Sequence, residues 1–313
     1  MSKPYLSIVI PVYNEADNLE NLFTRLTTTL DDFGKTYEII LVNDGSRDAT
    51  ESILSELYTR RPDIIRVVNF NGNFGQHMAI MAGFERARGD ITVTLDADLQ
   101  NPPEEIPKLI VAMEAGHDYV GSIRKNRKDS LFRRHASRIN NAIRARITGI
   151  VMSDQGCMLR AYKRHVIDAI VASRESSVYI PALAYSYAGN PTEIYVEHDN
   201  REAGESKYNI YKLLRLNFDL MTGFSLVPLQ IFTVFGMLVS LASTLFVAYL
   251  FVRRLLIGPE AEGIFTLFAI LFFLIGVGLM GLGIVGEYIG RIYKEVRQRP
   301  FYIVRSTLEK MTD

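Results

Sequence analysis

The sequence predicts an α/β domain built on a mainly parallel sheet, followed by two transmembrane α-helices. Three observations predict it. From residue 6 to about 124, short apolar runs alternate with segments of helical periodicity. Those runs are near-continuous, as in strands buried on both faces of a parallel sheet. The last third then carries two long uncharged stretches.

The elements follow in order. LSIVIPVY reads as a first strand, and Leu19, Leu22, Phe23, Leu26, Leu30 and Phe33 fall at helix-face spacing after it. YEIILVND is a second strand, with Ile53, Leu54 and Leu57 marking a short helix. IIRVVNFN is a third, followed by a helix from about Gly75 to Arg88. DITVTLDAD is a fourth, PPEEIPKL opens another helix, and DYVGSI is a fifth strand. Further on, TEIYVEHDN reads as a strand ending in a loop.

No formal charge lies between Pro228 and Arg253, or between Glu262 and Glu287. Each interval exceeds the about 20 residues a helix needs to cross the hydrocarbon core. Basic residues flank the pair: Lys207, Lys212 and Arg215 before it, and Arg291, Lys294, Arg297, Arg299, Arg305 and Lys310 after it. The connecting loop has two Arg offset by two Glu, so the positive-inside rule puts both termini on the cytoplasmic side. The organisation expected is a catalytic domain over 1–206, a juxtamembrane amphipathic helix over 207–227, two membrane helices within 228–290 (about 229–252 and 264–286), and a cytosolic tail over 291–313.

Composition narrows the function classes. Lys plus Arg and Asp plus Glu both number 35 in 313 residues, a balance that offers no footprint for nucleic acid. A single cysteine, Cys157, excludes an internal disulfide and suits a reducing compartment; it reads as packed rather than reactive. The N-terminal apolar run is too short for a signal peptide and reads as the first strand, leaving this part in the cytosol. Neither G-x-G-x-x-G nor G-x-x-x-x-G-K-[ST] follows a strand, which argues against a dehydrogenase or a P-loop enzyme.

In an open parallel sheet the ligand lies beyond the carboxyl ends of the strands. Those ends carry Pro11, Tyr13, Asn14 and Glu15, then Asn43, Asp44, Gly45 and Ser46, then Asp96, Asp98 and Gln100. Each group alone has an ordinary reading: Asn14 as a helix cap with Asp17 as its capping-box partner, Asn-Asp-Gly as a turn, Asp-x-Asp as a surface loop. Their convergence on one edge points instead to a hard divalent cation, Mg2+ or Mn2+, which takes one or two carboxylates and completes its shell with phosphate oxygens.

The set SIVIPVYNE, VNDGS and LDADLQNPPE resembles glycosyltransferase family 2, whose domain has the Rossmann-like GT-A fold. NFGQHMAIMAGF, DSLFRR, GCMLRAYKRH, GESKY and GEYIGRIYKEVRQRP narrow the resemblance to the polyprenyl-phosphate glycosyltransferases over nearly the whole chain. The resemblance implies that Pro11, Tyr13, Glu15 and Asp44 line a uridine site, and that Asp96, Asp98 and Gln100 serve the metal and diphosphate. It implies Arg124, Arg133 and Ser137 for the acceptor phosphate, and Arg201 and Lys207 as a basic pair near the phosphates. Asp154 is the implied acidic residue beside the acceptor, with a turn or cap aspartate as the other reading; His77 reads as structural.

The implied reaction is inverting transfer of a sugar from a UDP-sugar to undecaprenyl phosphate at the bacterial inner membrane, for lipid A or another envelope glycan. The implied donor is UDP-4-deoxy-4-formamido-L-arabinose, with UDP-glucose, the donor of bactoprenol glucosyltransferases, as the alternative. A lipid acceptor also suits residues 130–151, where five Arg interleave with Leu131, Phe132, Ile139, Ile143 and Ile147. A solvated helix packed on the sheet fits that pattern as well. Six glycines between residues 276 and 290, including the G-x-x-x-G of GEYIG, predict close helix packing. The expected assembly is a homo-oligomer, by resemblance a tetramer. A processive polysaccharide synthase, with its Q-x-x-R-W motif, is disfavoured by the absence of Trp.

Overall fold

A computed structural model describes residues 3–125, 152–154, 156–173, 179–198, 226–257, 264–297 and 299–310. The chain divides into two units, residues 1–207 with 299–313, and residues 208–298. The juxtamembrane segment 207–225 and the basic stretch 130–151 lie outside the described residues.

In the first unit the alternation read from the sequence is β1 (Leu6–Val12), α1 (Ala16–Phe33), β2 (Tyr37–Asn43), α2 (Thr50–Arg60), β3 (Ile65–Phe70), α3 (Gln76–Arg86) and β4 (Ile91–Thr94). It continues with a short 3-10 turn at Pro103–Glu105, α4 (Ile106–Glu114), β5 (Tyr119–Arg124), β6 (Arg160–Lys163), α5 (Arg164–Ser173), α6 (Ile180–Tyr187) and β7 (Pro191–Val196). Every residue of β1 is buried, as its unbroken apolar run requires. Helix α1 turns Leu19, Leu22, Leu26 and Leu30 onto the sheet, each buried leucine contributing about 2 kcal/mol. It stops at Gly34, whose φ of 71° closes the left-handed cap. Gly83 lets α3 lie flat on β1: a Cβ there would sit 2.2 Å from Val9 Cγ1.

The sheet has eight strands in the order β7-β5-β6-β4-β1-β2-β3-β8, where β8 is Val304–Leu308. Strands β4, β1, β2 and β3 are mutually parallel, and β5 pairs with β7 in parallel. Two strands run the other way. β6 inserts antiparallel between β4 and β5, and β8 adds antiparallel to β3. The stretch expected as a cytosolic tail thus supplies an edge strand, fastened by Arg66 to Glu309 at 2.6 Å and by Asn69 to Ser306 at 3.2 Å.

The second unit contains α7 (Val227–Ile257) and α8 (Ile264–Val296). Within them Leu229–Leu256 and Ile270–Tyr293 are long and apolar enough to cross a membrane. Almost none of either stretch is buried by protein, unlike the core helix of a globular domain. The two helices meet where Gly281 admits the Phe232 ring, which would stand 2.3 Å from a Cβ at that position.

Candidate active site

The parallel strands bring their carboxyl ends to one edge, and the loops there are cross-tied. In the first, Asn14 has φ 55° and donates its N–H to Ser46 Oγ at 3.0 Å, while its Oδ1 accepts the Arg47 N–H at 2.8 Å. Asn14 therefore bridges two loops and does not cap α1; Glu15 precedes that helix and makes no side-chain cap. The Glu15 N–H goes to Thr50 Oγ1 at 3.1 Å, and its carboxylate accepts from Asn18 at 2.6 Å. Tyr13 is exposed at 41%, while Pro11 is buried in β1, beyond the last β4 pairing at Val9↔Thr94.

Asp44, at the end of β2, is buried, and its two oxygens accept main-chain N–H groups from the loop after β3: Phe74 at 2.6 Å and Gly75 at 2.9 Å. Burial pushes its pKa up, and the two amides pull it back. Next to it, Gly45 has φ 68°, and a Cβ there would lie 2.5 Å from the Gly72 carbonyl carbon. Glycine is required on both counts. Asp44 thus holds the β3–α3 loop against the end of β2.

Beyond β4 come Asp96, Asp98 and Gln100, all partly exposed. Gln76, the first residue of α3, donates to Asp96 Oδ1 at 2.5 Å, and the Gln100 N–H donates to Asp98 Oδ1 at 3.2 Å across Leu99, whose φ is 59°. Burial, then the charges of Asp98 and Glu15, push the Asp96 carboxyl up to about 7, against Arg124 and Gln76. Although an edge of Asp96 reaches solvent, the surrounding carboxylates and protein atoms disfavour its charge. Among the described residues no three His, Cys, Asp or Glu form a complete metal cage. Two carboxylates with open positions fit a hard cation that draws its remaining ligands from a diphosphate and water.

Arg124, at the end of β5, binds Asp154 through Nε to Oδ2 at 2.7 Å and Nη2 to Oδ1 at 2.9 Å. The Gly156 N–H also reaches Asp154 Oδ1, at 3.1 Å. Asp154 is only 2% exposed, so the carboxylate expected beside the acceptor serves to hold an arginine. Behind it lies Arg160, fully buried, donating to the Cys157 carbonyl at 2.8 Å, the Asp154 carbonyl at 2.7 Å and the Tyr119 hydroxyl. Cys157 is packed, and burial pushes its thiol up to about 11.

Sequence reasoning missed His198. Its ring Nδ1 is buried without a hydrogen-bond partner, and burial, then the charge of Arg124, hold its pKa below the usual histidine range, against Asp154 and Asp98. The signal lies in the parallel pairing Arg124↔Val196, which brings the residues after β7 beside the end of β5. Arg133, Ser137, Arg201 and Lys207 lie outside the described residues.

The site can be set beside known proteins. The model of the glycosyl transferase family 2 matches residues 7–171. The chain is 50% identical over 306 residues to the undecaprenyl-phosphate 4-deoxy-4-formamido-L-arabinose transferase of Edwardsiella ictaluri, covering 97% of this chain and 94% of that one. It is 47% identical over 307 residues to the transferase of the same name from Klebsiella pneumoniae strain 342, with the same coverage. Among solved structures, a glucosyl-3-phosphoglycerate synthase from Mycobacterium tuberculosis, in complex with Mn2+, UDP and phosphoglyceric acid, aligns with a TM-score of 0.47 at 18% identity, over 70% of this chain and 76% of that one.

Proposed function

The chain belongs to glycosyl transferase family 2, and from that membership we propose that it transfers a sugar from a UDP-sugar to undecaprenyl phosphate, with inversion. The observation that carries this reading is 50% identity along 97% of the chain to a transferase named for that acceptor and for 4-deoxy-4-formamido-L-arabinose. UDP-4-deoxy-4-formamido-L-arabinose is accordingly the donor we propose.

Pro11, Tyr13, Glu15 and Asp44 would border the nucleotide, and Asp96, Asp98 and Gln100 would hold Mg2+ or Mn2+ beside it. When bound, the cation supplies positive charge to the departing diphosphate. An oxygen of the lipid phosphate attacks the anomeric carbon, the bond from that carbon to the diphosphate oxygen breaks, and UDP leaves with the electron pair. A phosphate monoester is largely dianionic at neutral pH, so the nucleophile needs no strong base. What the protein must supply is positive charge and orientation. Arg124, oriented by the two-point pair with Asp154, contributes its positive charge beside the acceptor phosphate, and the resemblance adds Arg133, Ser137, Arg201 and Lys207.

The two apolar helices anchor this chemistry to the bacterial inner membrane. Strand β8 follows both helices in the chain yet belongs to the same sheet as β1, which supports placing both ends of the helical pair on one face, the cytoplasmic one by the basic flanks. Gly276, Gly278, Gly283, Gly286 and Gly290 have nothing within 4 Å of a would-be Cβ, which favours assembly through α8 into a homo-oligomer, taken here as a tetramer.

The test uses purified full-length protein, undecaprenyl phosphate and a panel of UDP-sugars with Mg2+ or Mn2+. Transfer from the formamido-arabinose donor is expected. Turnover with UDP-glucose alone would overturn the donor assignment, and no lipid-linked product with any donor would overturn the reaction.

A further inference from the structure

The polypeptide that emerges from α8 returns to the site. Tyr302 stacks on Phe70, ring centroids 4.8 Å apart and planes 15° from parallel, and its hydroxyl donates to Glu85. One residue on, the Ile303 carbonyl accepts the Asn71 N–H at 3.0 Å. Phe70 in turn meets Phe74 edge-on at 5.7 Å. Phe74 and Gly75 are the residues whose N–H groups bind Asp44, and the next residue, Gln76, reaches Asp96. Residues 71–75 have no regular structure and contain Gly72 and Gly75, the latter at φ 95°, so nothing in the segment itself fixes its conformation. It is fixed from outside: by Asp44 and Gly45 on one side, and by Tyr302 and Ile303 on the other.

We propose that Tyr302 is a positioning residue for the UDP-binding half of the site, acting through Phe70 and the 71–75 loop on Asp44 and Gln76. The inference rests on the donor-site reading above. Aromatic stacking against a buried ring restricts the loop before the nucleotide arrives, and a preorganised loop spares the ordering cost of binding. The rest of the tail is fastened farther off, by Ser306 to Asn69 and Glu309 to Arg66, which separates support of the sheet edge from support of the loop.

The experiment is calorimetric titration of UDP into the full-length protein with MnCl2, with Tm measured in parallel. Tyr302→Ala is expected to weaken UDP by about tenfold, equal to about 1.4 kcal/mol. Tyr302→Phe, which keeps the stack and loses only the Glu85 hydrogen bond, is expected to restore wild-type affinity. Glu309→Ala is expected to lower Tm and leave UDP affinity unchanged. Should Tyr302→Ala not fold, Tyr302→Leu is read in its place. UDP affinity unchanged by loss of the ring, or reduced equally by Glu309→Ala, would overturn the proposal. A wild-type protein that binds no UDP would overturn the donor-site reading instead.

Discussion

Arg124 and Asp154 form a two-point ion pair at the end of β5, with the carboxylate side chain 3% exposed and the guanidinium 21% exposed. The pair is half open: the carboxylate is sealed, and part of the guanidinium reaches solvent. Such a carboxylate orients its partner more readily than it meets a substrate.

Replacing Asp154 with Asn is therefore expected to act through Arg124. Breaking a buried pair costs about 3–5 kcal/mol, and the solvent reaching Arg124 reduces this to about 2–3. Steady-state kinetics should show a raised KM for the lipid phosphate and a smaller change in kcat. A collapse of kcat at unchanged KM would make Asp154 a catalytic carboxylate.

Asp98→Asn removes half of the carboxylate pair without disturbing the sheet. Transfer should fall by at least about 100-fold, the scale expected when charge stabilisation at a leaving group is lost. Circular dichroism should be unchanged, and chelation of divalent cations should reproduce the loss in the wild type. Full activity of the variant would remove Asp98 from the metal site.

Gly45→Ala places a methyl group against the Gly72 backbone at a φ of 68°. The conformation alone costs about 1–3 kcal/mol, and the overlap forces the two loops apart. Lower Tm together with weaker UDP binding is expected; a variant matching the wild type in both would show that the loops need not touch.

His77 gives a pH dependence with a definite sign. Burial, then the charge of Arg160, pull its pKa down to about 4, and its ring Nδ1 is buried without a hydrogen-bond partner. The unfolded imidazole binds a proton below about 6.5, the folded one only near 4, so stability falls as pH drops between those values. As pH falls from 7 to 5 the urea midpoint of the wild type should drop relative to that of His77→Gln, a difference from which the opposite slope of Asp96, present in both proteins, cancels. Equal slopes would show that other groups carry the effect.

Strands β1 to β5 were legible because burial on both faces demands unbroken apolar runs, and Leu19, Leu22, Leu26 and Leu30 marked α1 by spacing alone. β6 was not, since its four residues, Arg160–Lys163, include two cations. Only the fold reveals that the Arg160 guanidinium is spent on two carbonyls and a tyrosine. β8, VRSTL, has no pattern of its own and becomes a strand by borrowing the β3 edge. At the site, the acidic strand ends were readable from the motifs. For Asn14 the ordinary alternative, a helix cap, fails, because its positive φ turns it toward Ser46 and Arg47. His198 was invisible without the register of β7.

The late position of β8 sets an order of events during synthesis. Its partner strand β3 is complete early, yet the residues that close that edge are translated only after both apolar helices. Until then the nascent sheet ends in an unpaired strand, the kind of edge that recruits other chains. Both apolar helices are already made when β8 docks, so sealing of this sheet edge waits on their synthesis.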